Sequence, residues 1–333
     1  MSDLQALADA TRRGAGLFSL ERGVISVTGE DRVRWLDGMI SAEVASLSAW
    51  PGISGRYALL LSPKGRIVAD LHVLHDDATL WLELEASAAP EDLARLRRYV
   101  ISEDVGLADA SSEFLRLALE GPGAPAVLER AGAGEALALA TDAWLRARVG
   151  GTSIGVAAYG WSGEPAYQLF VPRGRGEPVR EALRDAAPDV AWVEADAATL
   201  ELLRIEAGVP RLGAELDEEV FPAEARLTER AVSFTKGCYT GQEIVARLAT
   251  RGRVNHLLVG LAFDAAAPPE PGTPLVAEGR RIGEVTSACV SPRVGAIGLG
   301  YVRRPLDAPG TSLEAAGSPA QVVALPFVTP GSP

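Results

Sequence analysis

From residue 56 the segment RYALLLSPKGRIVADLHVL sets two apolar runs either side of Pro63-Lys64-Gly65, which predicts a β-hairpin. Along its second strand Ile67, Ala69, Leu71 and Val73 share one apolar face, while Val68, Asp70, His72 and Leu74 share the other. Asp70 therefore points away from the main core. Upstream, GLFSLERGVISVTGEDRVRWLDGMISAEV predicts two short strands, a turn, and a helix starting near Glu30 or Asp31. The period changes in PEDLARLRRYVISEDVGL, where Leu93, Leu96 and Val100 line one side of a helix opened by Pro90 and acidic residues. FLRLALEG predicts a strand, PAVLERAG a short helix, TSIGVAAYGWSGEPAYQLFVP a strand pair, and GEPVREALRDAA and ADAATLELLRIEAG two further helices. GQEIVARL carries another helix start, with Thr240 or Gly241 as cap and Glu243 in the first turn. Beyond residue 255 short apolar runs are punctuated by Gly and Pro, which predicts a small all-β barrel or sandwich. No repeat of about 20–50 residues recurs along the chain.

A length of 333 residues exceeds one ordinary core, so two or three domains are expected. Hydrophobic residues at 47% and charged residues at 23% fit a folded protein. A formal charge of -12 repels phosphate, so no direct nucleic-acid binding and no anionic membrane surface is expected unless a local basic patch overrides the global field. The N-terminus lacks an apolar signal-peptide core and no run reaches the roughly 18 apolar residues of a membrane span; a cytoplasmic location is expected. Two distant cysteines do not make a disulfide framework. Of the three histidines, His72 and His75 lie three apart on a strand and point to opposite faces, so no metal site is expected.

One stretch carries candidate chemistry of its own. In TERAVSFTKGCYTGQEIVARLATRGRVNHL, Cys238 precedes a predicted helix N-terminus and follows Lys236 by two residues. Free N–H groups and a lysine ammonium both favour thiolate over thiol. The alternative is a small buried hydrophobe, the reading that suits Cys289 in VTSACVSP. Arg247, Arg251 and Arg253 form an acid-free basic cluster just downstream, able to meet a carboxylate tail or a phosphate, or simply to be solvated.

KGCYTGQE resembles the K-G-C-[YF]-x-G-Q-E signature of the YgfZ-type folate-binding proteins, matched at Lys236, Gly237, Cys238, Tyr239, Gly241, Gln242 and Glu243. These are related in fold to the glycine-cleavage T-protein, an aminomethyltransferase. DRVRWLDGMISAEV, RIEAGVPRLGAEL and GRRIGEVTSACVSP resemble further segments of that family. The resemblance implies an α+β, aminomethyltransferase-like folate-binding fold. Two interleaved subdomains would occupy residues 1–245 around a central cavity, and a small β-barrel residues 255–333. It implies tetrahydrofolate as cofactor, with Glu206 accepting the two pterin N–H groups, and Arg204, Tyr159, Trp161, Lys236 and Arg247 as further binding candidates. KGRIVADLHV resembles the T-protein's G-G-x-x-D-D-L-x-V and puts Asp70 on its second aspartate, beside the reactive N5. YGWSGEPAYQLFVP resembles Y-[TS]-G-E-x-G-[YF]-E, but Ala166 replaces a glycine and Gln168 the final glutamate. Two functions follow from the resemblance. The leading one is a monomeric tetrahydrofolate-binding accessory protein for iron–sulfur enzymes, including tRNA-modifying ones, working through Cys238. The alternative is a folate-dependent aminomethyl- or methyltransferase working through Asp70.

Overall fold

The computed structural model describes residues 3–252 and 254–331. Its elements run α1 (Asp3–Arg13), β1 (Ala15–Leu20), β2 (Arg22–Thr28), α2 (Arg32–Met39), β3 (Gly55–Leu61), β4 (Ile67–Asp76), β5 (Thr79–Glu85), α3 (Ala89–Arg97), β6 (Gly106–Asp109) and β7 (Phe114–Glu120). Then follow α4 (Ala124–Leu128), β8 (Trp144–Val149), β9 (Thr152–Ala157), β10 (Ala166–Pro172), α5 (Gly176–Ala186), β11 (Trp192–Ala195), α6 (Ala197–Ala207), α7 (Thr228–Ala231) and α8 (Gln242–Arg251). The chain ends in β12 (His256–Phe263), β13 (Pro274–Ala277), β14 (Arg280–Ser291), β15 (Gly295–Arg303), β16 (Ser312–Ala315) and β17 (Ser318–Val323). The expected hairpin, the Pro90 helix, the β9–β10 pair and the α5 and α6 helices are all present. The α1 helix carries no counterpart in the sequence reading.

The strands form two sheets and a barrel. One sheet has the order β11-β1-β7-β10-β9-β8, the second β3-β4-β5-β2-β6, and β12-β15-β14-β13-β16-β17 closes on itself. The chain enters the first sheet with β1, leaves for the whole of the second, and returns at β7, so the two sheets interleave in sequence. They stack face to face. On the outer face of the second sheet Ile25, Val27, Leu71, Val73 and Leu82 pack against Trp35 and Leu36 of α2 and Leu93 and Leu96 of α3. On the outer face of the first, Leu117, Leu119, Val156 and Leu169 pack against α4 and α5. Each fully buried leucine stabilises these layers by about 1.5–3 kcal/mol relative to exposure. The result is a four-layered α/β/β/α body, an α+β fold with a separate closed β-barrel.

The inner faces meet through Val24, Leu74, Trp144, Ala157, Tyr159 and Phe170. The Asp70 face of β4, free of the outer core, is therefore turned toward the other sheet, with Asp70 itself partly exposed. The barrel is joined to the body through α6, whose Ile205 packs with Leu258, Ile297 and Leu299. Asp196 caps α6 by accepting the Thr199 N–H at 2.9 Å, and Gly208 ends it at φ 71, the left-handed conformation in which a Cβ would also strike Leu325. Among the described residues no helix is long and apolar enough to cross a membrane.

Candidate functional site

Cross-strand register assembles a polar patch on the inner face of the second sheet. Tyr57 of β3 lies opposite His72 of β4, and His72 opposite Glu83 of β5. Arg22 at the start of β2 lies opposite Glu85. Residues opposite each other share a face, so alternation brings Tyr57, Asp70, His72, Glu83, Glu85 and Arg22 together. Arg116 of β7 and Tyr159 close the patch from the first sheet.

The charges in this buried space are paired. Arg22 donates to Glu83 through Nε at 2.7 Å and to Glu85 through Nη1 at 2.8 Å, and Arg116 donates to Glu83 at 3.1 Å. Burial pushes the Glu83 carboxyl up, but Arg22 and then Arg116 outweigh it and hold the group at about 2. Arg22 loses water on burial, and Glu83, Glu85 and Asp70 more than restore its charge. The Tyr57 hydroxyl donates to Asp70 Oδ2 at 3.0 Å. His72 stacks on Tyr159, ring centroids 3.5 Å apart and 8° from parallel, with its Nδ1 3.3 Å from Asp142 Oδ1. Burial acts against the Asp142 carboxylate too, yet His72 and Arg230 hold it at about 2.

A cavity of about 750 Å³ opens beside this cluster. Trp161, Leu115 and Leu200 give it apolar walls, and Arg22, Glu85, Glu201 and Arg211 its charged groups. Glu120, itself buried, accepts the backbone N–H groups of Trp161 at 3.2 Å and Ser162 at 2.8 Å, and so fixes the turn that presents the indole. Gly160 is required there, since a Cβ would come within 2.9 Å of the Glu120 carboxylate. Tyr159 and Arg230 line a smaller cavity of about 380 Å³. Among the described residues no group of three or more His, Cys, Asp or Glu side chains is placed to hold a metal.

Of the residues singled out in the sequence, the structure brings Asp70, Tyr159 and Trp161 to one region, with Arg204 in the lining of the Trp161 cavity, and places Glu206, Lys236, Cys238 and Arg247 elsewhere. Glu206 is fully buried and ion-paired. Arg12 of α1 donates to its Oε2 through Nε at 2.7 Å and to Glu164 through Nη1 at 3.0 Å, while Ser291 donates to the other oxygen. Both carboxylate oxygens expected to meet the pterin accept from protein side chains here, and the compensation for a carboxylate at a helix C-terminus comes from Arg12. Arg204, expected to bind the ligand, is buried and holds α6 to the barrel, donating to Glu201 at 2.7 Å, to Glu215 at 2.9 Å and to Ser287 at 2.8 Å. It also lines the cavity of about 750 Å³.

Lys236, a binding candidate in the sequence, is also engaged within the protein. Its ammonium donates to the carbonyls of Asp37, Ile40 and Ala42, closing the C-terminal end of α2, and its side chain is 1% exposed. Its three N–H donors are taken up by these carbonyls. Cys238 is exposed, four residues ahead of α8, whose N-cap is Gly241. Arg247 is exposed on α8 and lines neither cavity. Arg253 and the side chain of Arg251 lie outside the described residues, so the expected basic cluster is seen only through Arg247.

The sequence reading missed Tyr57, Arg22, Glu83, Glu85, Arg116, Glu201 and Arg12. A signal existed for part of this set. In TLWLELE, Trp81, Glu83 and Glu85 alternate with Leu80, Leu82 and Leu84, a charged stripe on the strand neighbouring the Asp70 face. For Arg12, which meets a partner 194 residues away, there was none.

Comparison with known proteins covers nearly the whole chain. Residues 3–236 match the GCVT N-terminal domain and residues 257–329 the glycine cleavage T-protein C-terminal barrel domain. The aminomethyltransferase of Streptomyces avermitilis is 32% identical over 329 residues, 96% of this chain and 87% of that protein. The aminomethyltransferase of Rubrobacter xylanophilus is also 32% identical, over 97% of this chain and 86% of its own. The crystal structure of glycine cleavage system aminomethyltransferase T from Bartonella henselae superimposes with a TM-score of 0.87 at 25% identity, covering 98% of this chain and 90% of that one.

Proposed function

This chain belongs to the glycine-cleavage T-protein (aminomethyltransferase) family, and on that footing we propose that it is a tetrahydrofolate-dependent one-carbon transferase with Asp70 beside the reacting atoms. The family uses tetrahydrofolate. The observation that carries the reading is the cavity of about 750 Å³ with Trp161 as its aromatic wall, joined to Asp70 through Arg22. Its size suits a folate-sized ligand. Its donor set also fits: Trp161, Leu115 and Leu200 can take a flat ring, Glu85, with one oxygen taken by Arg22, can accept a ring N–H through the other, and Arg211 can meet an anionic tail. When bound, tetrahydrofolate supplies the amine nitrogens that take up the one-carbon unit.

The chain's own residues do the rest. The turn clamped by Glu120 presents Trp161, and the paired charges of Arg22, Glu83 and Arg116 keep the floor of the site ordered without a free charge. Asp70, partly exposed, contributes negative charge where positive charge builds on a reacting nitrogen; such fixed electrostatics act chiefly on the transition state. The test is transfer from a glycine-derived aminomethyl donor to tetrahydrofolate, followed by the ammonia released. Asp70→Asn should cut turnover by about 10²–10³-fold with folate affinity retained. No transfer by the wild-type protein would overturn the transferase reading.

A second reading draws on Cys238, an exposed cysteine in a segment that resembles the YgfZ signature. In it the protein is a tetrahydrofolate-binding accessory factor for iron–sulfur enzymes. Cys238→Ser should then keep folate binding and fail to support those enzymes in cells lacking the native protein. Full complementation by the serine variant would sink it. The relatives' names favour the first reading.

A further inference from the structure

Asp70 has one protein hydrogen bond among the described residues, from the Tyr57 hydroxyl to Oδ2 at 3.0 Å, which leaves Oδ1 without a protein donor. Tyr57 is built to make that bond in one orientation. The residue is 4% exposed, and its ring lies 5.0 Å from that of His72. The Arg230 guanidinium sits 4.4 Å above the ring and is tied down by Asp142 at 3.0 Å. Burial first, and then the charge of Asp70, push the Tyr57 hydroxyl well above the ordinary tyrosine range, so it remains a donor. A half-buried carboxylate held by a single rigid donor has one oxygen fixed and the other aimed.

We infer that Tyr57 is a positioning residue for Asp70, a part that neither the sequence motifs nor the relatives' names assign. The inference rests on the transferase reading for its kinetic consequence, and on geometry alone for its structural one. Asp70 is also within the field of Arg22 from β2 and Arg230 from α7. His72 on its own strand, Glu83 and Glu85 on β5, Arg116 on β7, Tyr159 and Asp142 complete the charged and titratable groups of the cluster. Removing the Tyr57 hydroxyl takes away the one hydrogen bond to the charged form of Asp70 and leaves every other group in place.

The experiment compares wild type, Tyr57→Phe, Asp70→Asn and the double variant. The phenylalanine keeps the ring under Arg230, so the fold should survive. In the free protein, crystal structures should show the Asp70 carboxylate in one orientation in wild type and in more than one in Tyr57→Phe, because its one protein hydrogen bond is gone. In the transfer assay Tyr57→Phe should lower kcat roughly tenfold with KM for tetrahydrofolate unchanged. In the Asp70→Asn background the same change should have little further effect, since the two residues act as a unit. An Asp70 carboxylate that keeps its single orientation in Tyr57→Phe overturns the inference whatever the assay gives. Inactive wild-type protein with a reoriented Asp70 in Tyr57→Phe overturns the transferase reading and leaves the positioning contact standing.

Discussion

Cys289 packs between α6 and the barrel, where burial first and then the charge of Glu206 push its thiol up to about 12. Cys238 is exposed in the loop leading to α8. Thiolate is the reactive form, so accessibility and charge should separate the two. Iodoacetamide near pH 7.5 should alkylate Cys238 in the native protein and Cys289 only after denaturation, read by mass spectrometry of the two peptides. Equal labelling of both in the native state would contradict the environment described for Cys289. Lys236 shows the limit of reading a residue from its neighbours in sequence. Two positions from the cysteine, its ammonium belongs to three carbonyls at the end of α2. A four-carbon side chain can reach either way, and three carbonyl acceptors in a buried space outweigh one sulfur facing water.

At the level of elements, α1 matters more than its place at the chain terminus suggests. Its Arg12 joins α6 through Glu206 and the Trp161 turn through Glu164, and Gly331 also donates to Glu164, at 3.0 Å. Three stretches distant in sequence therefore meet on one buried guanidinium. Glu206→Gln removes the charge that Arg12 faces, and breaking a buried pair on one side typically costs about 3–5 kcal/mol. The expected outcome is a lower denaturant midpoint with the same slope, and tetrahydrofolate affinity unchanged once the protein is folded. Affinity that falls while stability holds would return Glu206 to the ligand site. The helical period, the Asp196 cap and the Gly208 stop of α6 are local and could be read from ADAATLELLRIEAG. Which way Glu206 faced could not, because a helix end does not specify what packs against it.

For the whole molecule, a ligand that binds only the folded state adds stability by mass action. Tetrahydrofolate at 100 times its dissociation constant should contribute about 2.7 kcal/mol, seen as a rise in Tm. Trp161→Ala, which strips the aromatic wall from the cavity of about 750 Å³, should abolish most of that rise while the ligand-free Tm changes little, the indole being partly exposed. An undiminished rise in the variant would move the folate out of this cavity. The sequence by itself determined the β3–β4 hairpin, most of the helices, the barrel texture beyond residue 255, the aminomethyltransferase-like fold and the placing of Asp70 on the face opposite the outer core. These follow from period, caps, turn residues and motifs, all of which act within a few residues along the chain. Only the tertiary structure decided what that face met. The stacking of the two sheets turned Asp70 inward toward Arg22, Tyr57 and the first sheet, and α1 engaged the carboxylate of Glu206. Lys236 was likewise drawn to the end of α2. Each outcome depends on which distant partner removes a charge from water most completely, and contacts across 194 residues leave no local trace.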